Sequence, residues 1–251
     1  MGYRINRKDL IKVLSDQYEI GRITDWLGFR DSDELSEYVL GRFNLSRSQL
    51  QQDLVAQWSL RKGIDSNASP FFVEFGATDG ITLSNTYLLE KEFGWEGILC
   101  EPGKSWHGKL STNRSCKIDR RCVFSSTGKS IPFMEVREGE LSTISSFAES
   151  DSWGEVRKNS LQYNVETITL EDLLFENNAP KKINYLSVDT EGSEYEILKD
   201  FNFNKWEIDF ISVEHNFTPN RDKLHKLFTS FGYSRKFTSI SNWDDWYFKQ
   251  N

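Results

Sequence analysis

The sequence has few cysteines, no excess of positive charge and no long apolar run. Its three cysteines, Cys100, Cys116 and Cys122, stand outside any CxxC spacing, so we expect reduced thiols rather than disulfides or a zinc site. The formal net charge of −7 leaves no basic surface for nucleic acid. No apolar run approaches the roughly 18 residues of a membrane span, and the N-terminus carries no apolar signal segment. We therefore expect a cytoplasmic protein with no transmembrane segment and no nucleic-acid partner.

The first part of the chain has the periodicity of helices. Leu50, Leu54 and Trp58 fall on one helical face, and residues 63–70 form a polar break rich in Gly, Ser, Asn and Pro. We predict a helical extension over residues 1–66 and a second domain over residues 67–251. The extension either covers that domain or makes a contact between subunits, which would give a homo-oligomer.

From residue 71 onward, short β-type runs alternate with helical segments. This alternation predicts an α/β fold with a mostly parallel, doubly wound sheet. Two further runs at the end of the chain, joined by a polar turn at Ser241-Asn242, predict a C-terminal antiparallel hairpin. The predicted strands cover residues 71–75, 97–100, 122–125, 131–136, 183–188, 210–213, 233–240 and 243–248.

A loop with two glycines follows the first predicted strand. Its spacing, Glu74-x-Gly76-x-x-x-Gly80, differs from the Gly-x-Gly-x-x-Gly pattern of dinucleotide sites. Glycine lets the backbone turn tightly and approach a ligand without a Cβ in the way. The loop therefore provides the candidate cofactor-binding residues Glu74, Gly76, Ala77, Thr78, Asp79 and Gly80.

An acid, Glu101, follows the second predicted strand, about 20 residues beyond the glycine loop. A carboxylate at this position can accept hydrogen bonds from two ribose hydroxyls. The loop contains acids but no Lys or Arg, which favours a cationic ligand such as S-adenosylmethionine over a pyrophosphate. Two alternatives remain open, namely that Glu74 is a buried structural acid and that Asp79 forms a turn.

Two later strands also end in ionisable residues. Asp189 and Glu191 follow the strand at 183–188, and Glu214 and His215 follow the strand at 210–213. His215 is the best candidate general base by residue type, because its unperturbed pKa lies near neutral pH. Asp189 and Glu191 would orient it, bind an acceptor hydroxyl or hold the amine of the cofactor. Asp189 with Glu214 or His215 would also suit a divalent metal ion, although the sequence does not indicate one.

Several segments together resemble the FkbM-type methyltransferases, in collinear order over residues 71–248. The most specific is LSVDTEGSE at 186–194. The others are VEFGATDG (73–80), LSNT (83–86), LEK (89–91), GILCEP (97–102), LSTI (141–144), VETITL (165–170) and VEHN (213–216).

That resemblance implies a Rossmann-like class I methyltransferase fold, with a mostly parallel seven-stranded sheet and a C-terminal antiparallel hairpin. It also implies S-adenosylmethionine-dependent O-methylation, with sugars and natural-product hydroxyls as the usual acceptors. We expect a saccharide acceptor in surface-polysaccharide or glycolipid assembly. By the resemblance, the cofactor contacts are Gly76, Gly80, Asn85 and Glu101, and the active face carries Asp189, Glu191 and His215.

Two other functional classes remain as alternatives. One is a nicotinamide-dependent oxidoreductase or epimerase, against which the glycine spacing and the hairpin argue. The other is a non-catalytic interaction module that assembles through its N-terminal helices. Within the methyltransferase interpretation, residues 139–153 are either a lid or an ordinary loop, and Trp243 and Trp246 either flank the acceptor or pack in the core.

Overall fold

The computed structural model describes residues 7–60, 69–136, 141–149 and 154–250, with side chains from residue 17 onward. Its helices and strands follow one another in this order: α1 (Arg7–Gly28), α2 (Asp33–Leu40), α3 (Gln52–Leu60), β1 (Phe71–Phe75), α4 (Tyr87–Phe93), β2 (Glu96–Cys100), α5 (His107–Asn113), β3 (Lys117–Asp119), β4 (Cys122–Val123), β5 (Ser130–Glu135), β6 (Thr143–Ile144), α6 (Gly154–Arg157), β7 (Leu161–Ile168), α7 (Leu170–Glu176), β8 (Lys182–Val188), α8 (Glu194–Leu198), β9 (Glu207–Glu214), α9 (Asn220–Ser230), β10 (Tyr233–Lys236) and β11 (Asp244–Lys249).

Seven of the strands form one sheet in the order β3-β2-β1-β8-β9-β11-β10. Neighbouring strands from β3 to β9 pair in parallel, whereas β11 pairs antiparallel with both β9 and β10. This confirms the predicted Rossmann-like class I methyltransferase fold, a mostly parallel sheet that ends in an antiparallel hairpin. The carboxyl ends of β1, β2, β8 and β9 meet at one edge, where open α/β sheets bind their ligands.

The hairpin is shorter than the sequence predicted. β10 ends at Lys236, and residues 237–243 form a loop before β11 begins at Asp244. Phe237 has a φ of 61° and Asn242 a φ of 48°, so the backbone leaves the extended conformation at both positions. Ile240, predicted as the end of a strand, is instead buried against the N-terminal helices.

A second sheet, with the order β4-β7-β5-β6, was not predicted. The sequence predicts the runs at 122–125 and 131–136 as strands of the parallel sheet, but β4 pairs with β7 and β5 pairs antiparallel with β7 and with β6. β7 was missed because its exposed face carries polar residues such as Gln162 and Glu166, which interrupt the apolar pattern. This small sheet forms a wall of the cavity described below.

The N-terminal helices pack on one face of the main sheet. Trp26, Leu35 and Leu54 share a buried cluster with Phe210 of β9 and Trp246 of β11. The extension therefore covers the sheet, which was one of its two predicted roles; assembly into an oligomer through these helices stays a prediction. The predicted boundary between residues 66 and 67 lies outside the described residues.

The opposite face of the sheet is covered by α7, α8 and α9, whose buried residues include Leu173, Ile197, Leu198 and Phe228. Helices on both faces leave the carboxyl edge of the sheet as the place where a ligand can enter. Among the helices of the described residues, none has the length and apolar character required to cross a membrane.

Candidate active site

A cavity of about 350 Å³ lies at the carboxyl edge of the main sheet. Seven of the predicted site residues line it: Glu74, Gly76, Thr78, Asn85, Glu101, Asp189 and Glu191. Its lining combines apolar side chains, such as Val123 and Phe133, with the carboxylates of Asp189, Glu191 and Glu214. Residues that the sequence analysis did not assign to a site complete the lining, and they include Gln49, Leu83, Cys100, Pro102, Cys122, Val123, Phe133, Leu141, Ser142, Ile144, Ser193, Asn216 and Trp243.

Gly76 lets the loop after β1 pass close to the end of β8. Its φ is +75°, and an added Cβ would lie 2.2 Å from the backbone oxygen of Asp189. The backbone N–H of Gly76 also donates to Cys100 O at the end of β2, at 3.1 Å. A side chain at this position would push apart the ends of β1, β2 and β8, which is a physical reason for glycine here.

Glu101 is held at the end of β2 by two backbone amides. Thr78 N donates to its Oε2 at 2.8 Å, and Gly103 N donates to its Oε1 at 2.6 Å. The residue is 4% exposed, and burial raises the pKa of its carboxyl to about 7. The nearby charges of Glu135 and Glu74 act in the same direction. Each carboxylate oxygen keeps a lone pair for a ligand hydroxyl in the cavity.

Glu74 borders the cavity, but its carboxylate already has partners. It accepts hydrogen bonds from Ser84 Oγ at 3.0 Å, from Asn85 N at 2.7 Å and from Thr86 Oγ1. Arg114 Nη1 lies 3.8 Å away. These contacts correspond to the structural alternative for Glu74, namely a buried acid that ties the segment before α4 to β1.

Three residues of the predicted cofactor loop lie outside the cavity lining, which corrects the sequence prediction. Ala77 is buried in the cluster beneath the N-terminal helices. The Asp79 carboxylate accepts hydrogen bonds from Ile81 N and Thr82 N, as a turn-forming aspartate does. Gly80, with a φ of +79°, makes room for the side chains of Leu110 and Arg114 rather than for a ligand.

Asp189, Glu191 and Glu214 form an acidic cluster in which one oxygen of each carboxylate lies within 4.8 Å of the others. Burial, and then the charge of Glu194, raise the pKa of Asp189 to about 7. Burial and the charge of Asp189 likewise raise the pKa of Glu214 well above its ordinary value. Two carboxyls this close are expected to share a proton or a cation.

The loop that carries Asp189 and Glu191 is held in place by Glu194 at the start of α8. Glu194 Oε1 accepts hydrogen bonds from Thr190 N and Gly192 N, both at 3.0 Å. On the outer side, Arg157 Nη2 lies 2.8 Å from Glu191 Oε2. The DTEGSE segment, which carried the most specific resemblance, is therefore a loop built to present acids to the cavity.

His215 lies outside the cavity lining, contrary to the predicted role as the general base. Its Nδ1 accepts a hydrogen bond from Phe217 N at 3.0 Å, and its Nε2 lies 3.7 Å from Asp245 Oδ1. Burial lowers the pKa of His215 to about 4. The reason is the alternation of side chains at the end of β9, which turns Glu214 to the cavity and His215 away from it.

One end of the cavity is bordered by Gln49, Leu83, Asn216 and Trp243. Gln49 belongs to the N-terminal extension, which a β-bridge between Ser48 and Leu83 ties to the loop after β1. Of the two tryptophans left open by the sequence, Trp243 borders the cavity and Trp246 is fully buried in the core. The extension thus contributes directly to the site.

The other end is apolar and is built largely from the second sheet, including Cys122, Val123, Phe133 and Ile144. Of the segment predicted as a lid or a loop, residues 139–140 and 150–153 lie outside the described residues. Leu141, Ser142 and Ile144 border the cavity, and Thr143–Ile144 forms β6. This apolar end of the cavity was not predicted, because the strands that form it were predicted to belong to the main parallel sheet.

A family model matches most of the chain. The family described as Methyltransferase FkbM domain matches residues 74–247, and this chain belongs to that family of methyltransferases. The matched part runs from Glu74 through the glycine loop, Glu101 and the acidic cluster to Tyr247 in the last strand. Family membership favours methyl transfer over the oxidoreductase and the non-catalytic interaction module. Residues 1–73, including Gln49, lie outside the match.

A solved structure similar to this chain is that of the plantazolicin methyltransferase BpumL in complex with SAH. The two sequences are 9% identical, the similarity covers 96% of this chain and 100% of the other, and the TM-score is 0.40. No curated protein matches the sequence.

Proposed function

We propose that this methyltransferase transfers the methyl group of S-adenosylmethionine to a hydroxyl of a saccharide or glycoconjugate, in surface-polysaccharide assembly in the cytoplasm. The observation that carries the proposal is the Glu101 carboxylate, which two backbone amides hold at the edge of the cavity. A fixed carboxylate at the end of the second strand suits the two hydroxyls of a ribose.

The rest of the cavity suits the remaining parts of this cofactor. The apolar end, with Val123, Phe133 and Ile144, would hold the adenine. Gly76 and Asn85, on the other side of Glu101, would contact the methionine part. When bound, the cofactor supplies an electrophilic methyl carbon on a positively charged sulfur.

The acidic cluster is where we place the acceptor hydroxyl. In the transfer, the C–S bond of the cofactor breaks and a C–O bond forms to the acceptor oxygen. The hydroxyl proton passes to the Asp189–Glu214 pair, and S-adenosylhomocysteine leaves. Holding both reactants in line can contribute about 7–11 kcal/mol, and a positioned base about 10²–10⁴-fold in rate.

The acceptor end has the composition of a sugar site. Trp243 offers an aromatic face for the apolar face of a sugar ring, and Gln49 and Asn216 offer amides for its hydroxyls. The chain has no basic excess that would favour a nucleic acid or a phosphorylated acceptor, since its formal net charge is −7.

The affinity for S-adenosylmethionine is expected to fall as the pH drops through about 7. Burial raises the pKa of Glu101 to about 7, and only the ionised carboxylate accepts from both ribose hydroxyls. We therefore expect binding about tenfold weaker at pH 6 than at pH 8, because each pH unit below the pKa corresponds to about 1.4 kcal/mol. Isothermal titration calorimetry at both pH values measures this. Glu101→Gln should bind weakly and lose this pH dependence.

Glu96→Gln is the matched control, because Glu96 is exposed at the opposite end of the same strand. It should retain the affinity and the pH dependence of the wild type. Wild-type affinity in Glu101→Gln would contradict the assignment of the ribose site. The free energy of unfolding of the cofactor-free protein should fall as the pH rises through about 7, whereas the cofactor affinity should rise. The reason is that folding raises the pKa of Glu101 to about 7.

A further inference from the structure

We propose that Asp189, Glu191 and Glu214 bind one divalent metal ion of the Mg²⁺ or Mn²⁺ type. The site rests on the geometry of these side chains, whereas its role in catalysis, described below, rests on the proposed function. The three carboxylates converge from two different strand ends, β8 and β9, on the cavity. The sequence had suggested Asp189 with Glu214 or His215 as metal ligands; the structure groups Asp189 and Glu214 with Glu191 instead.

The spacing of the three carboxylates fits a common ion. One oxygen of each lies within 4.8 Å of the others. Two oxygens on opposite sides of a Mg²⁺ ion are about 4.2 Å apart, and on opposite sides of a Ca²⁺ ion about 4.8 Å. Adjacent ligands are closer still. The side chains therefore need only small movements to coordinate one ion, and oxygen ligands alone are typical of Mg²⁺, Mn²⁺ and Ca²⁺.

The charges of the cluster also fit a divalent ion. Glu191 is paired with Arg157 at 2.8 Å. Among the described residues, no Lys or Arg nitrogen lies within 4.0 Å of the carboxylates of Asp189 or Glu214. When both are ionised, their two negative charges are thus left to a cation in the cavity. A single ammonium group, such as that of the cofactor, would balance only one of them.

Asn85 provides an independent indication of a cation. Its side chain is 7% exposed and borders the same cavity, and its Nδ2 donates to Ser187 Oγ at 2.9 Å. Ser187 lies on β8, two residues before Asp189 and on the same face. The amide is therefore fixed by its nitrogen, while its Oδ1 has no hydrogen-bond partner among the described residues. An unpartnered buried amide oxygen beside an acidic cluster suits a hard cation or a water bound to it.

The ion would act on the acceptor. Asp189 is partly exposed, so the bound ion would remain open to the cavity on one side. Coordination of the acceptor hydroxyl would lower its pKa. Asp189 and Glu214 would then serve as ligands rather than as the base, and the hydroxyl proton would leave to solvent. The bonds broken and formed in methyl transfer are unchanged.

Titration of the full-length protein with Mn²⁺, followed by the loss of the free Mn²⁺ signal in electron paramagnetic resonance, tests the site. We expect one ion per chain in the wild type. Asp189→Asn and Glu214→Gln should each weaken the affinity at least about tenfold. Glu207→Gln should bind as the wild type does, because Glu207 is exposed at the other end of β9. Circular dichroism of each variant checks that the fold is intact.

The site would be ruled out if the wild type bound no Mn²⁺ at about millimolar concentration, a level at which weak protein sites for such ions are filled. Unchanged affinity in both folded variants would also rule it out. Calorimetry with S-adenosylmethionine, in protein stripped with EDTA, separates this result from the proposed function. Cofactor binding without Mn²⁺ binding overturns only the metal site, and Mn²⁺ binding without cofactor binding overturns only the proposed function.

Discussion

Replacing Asp189 with asparagine should lower the rate of methyl transfer by about 10²–10⁴-fold. Asparagine has the same shape but cannot accept the hydroxyl proton from the acceptor, and it is a weaker ligand for a cation. The backbone oxygen of Asp189, which packs against Gly76, is unaffected. Cofactor affinity should therefore change little. The measurement is the initial rate of labelled methyl transfer, at saturating cofactor, to a surface-glycan extract of the source organism.

Asp209→Asn provides the control, since Asp209 lies on the adjoining strand β9, where its carboxylate accepts a hydrogen bond from Asn184 Nδ2 and lies 3.4 Å from Lys182 Nζ. It should transfer methyl groups at the wild-type rate. A parallel loss of cofactor affinity in Asp189→Asn would mean that Asp189 holds the cofactor's ammonium. That outcome would contradict its assignment to the acceptor.

Replacing Arg114 with methionine should reduce the free energy of unfolding by about 3–5 kcal/mol, the cost of leaving buried charges without their partner. The Arg114 side chain is fully buried, with its Nε 2.6 Å from Glu90 Oε2 and its Nη1 3.8 Å from Glu74 Oε2. Burial alone would raise the pKa of Glu90, but the charge of Arg114 lowers it to about 2. The arginine also donates to Gly80 O and Ser84 Oγ, so it holds the cofactor loop against α4.

Unfolding in urea measures this change. Arg120→Met removes an exposed arginine that contacts Ser111 in the same region, and its free energy of unfolding should stay within about 0.5 kcal/mol of the wild type. An equally small effect in Arg114→Met would show that the buried carboxylates of Glu74 and Glu90 do not need the ion pair with Arg114 for the protein to be stable. In that case the structural role given to Glu74 would be wrong.

Most of the main sheet was predictable from the sequence because its signals are local, although the short strand β3 at Lys117–Asp119 was not predicted. The first strand was predicted at 71–75 and is observed at Phe71–Phe75, and the strand predicted at 183–188 is observed at Lys182–Val188. Both consist mainly of apolar residues, interrupted by Glu74 in the first and by Asn184 and Ser187 in the second, as expected for strands buried on both faces. Glu101 and Asp189 directly follow predicted strands and Glu191 stands two residues after Asp189, so the sequence predicts all three at the carboxyl edge of the sheet.

The errors arose where a residue's role depends on distant parts of the chain. The role of Gly80 is set by Leu110 and Arg114, which no spacing within the loop reveals. Whether Glu214 or His215 faces the cavity depends on the alternation of side chains along β9, where a shift of one residue moves a side chain to the other face. Gln49 could not be assigned to the site, because only the tertiary structure brings the N-terminal extension to the cavity.

The most direct test of the proposed function is the chemical nature of the methylated product. The protein is incubated with S-adenosylmethionine that carries a deuterated methyl group and with the surface-glycan extract, and the products are analysed by mass spectrometry and glycosidic linkage analysis. We predict a deuterated methyl ether on a sugar hydroxyl and an equal amount of S-adenosylhomocysteine. Label on nitrogen, sulfur or carbon, or label in the protein and lipid fractions with none in the glycan, would contradict the proposal.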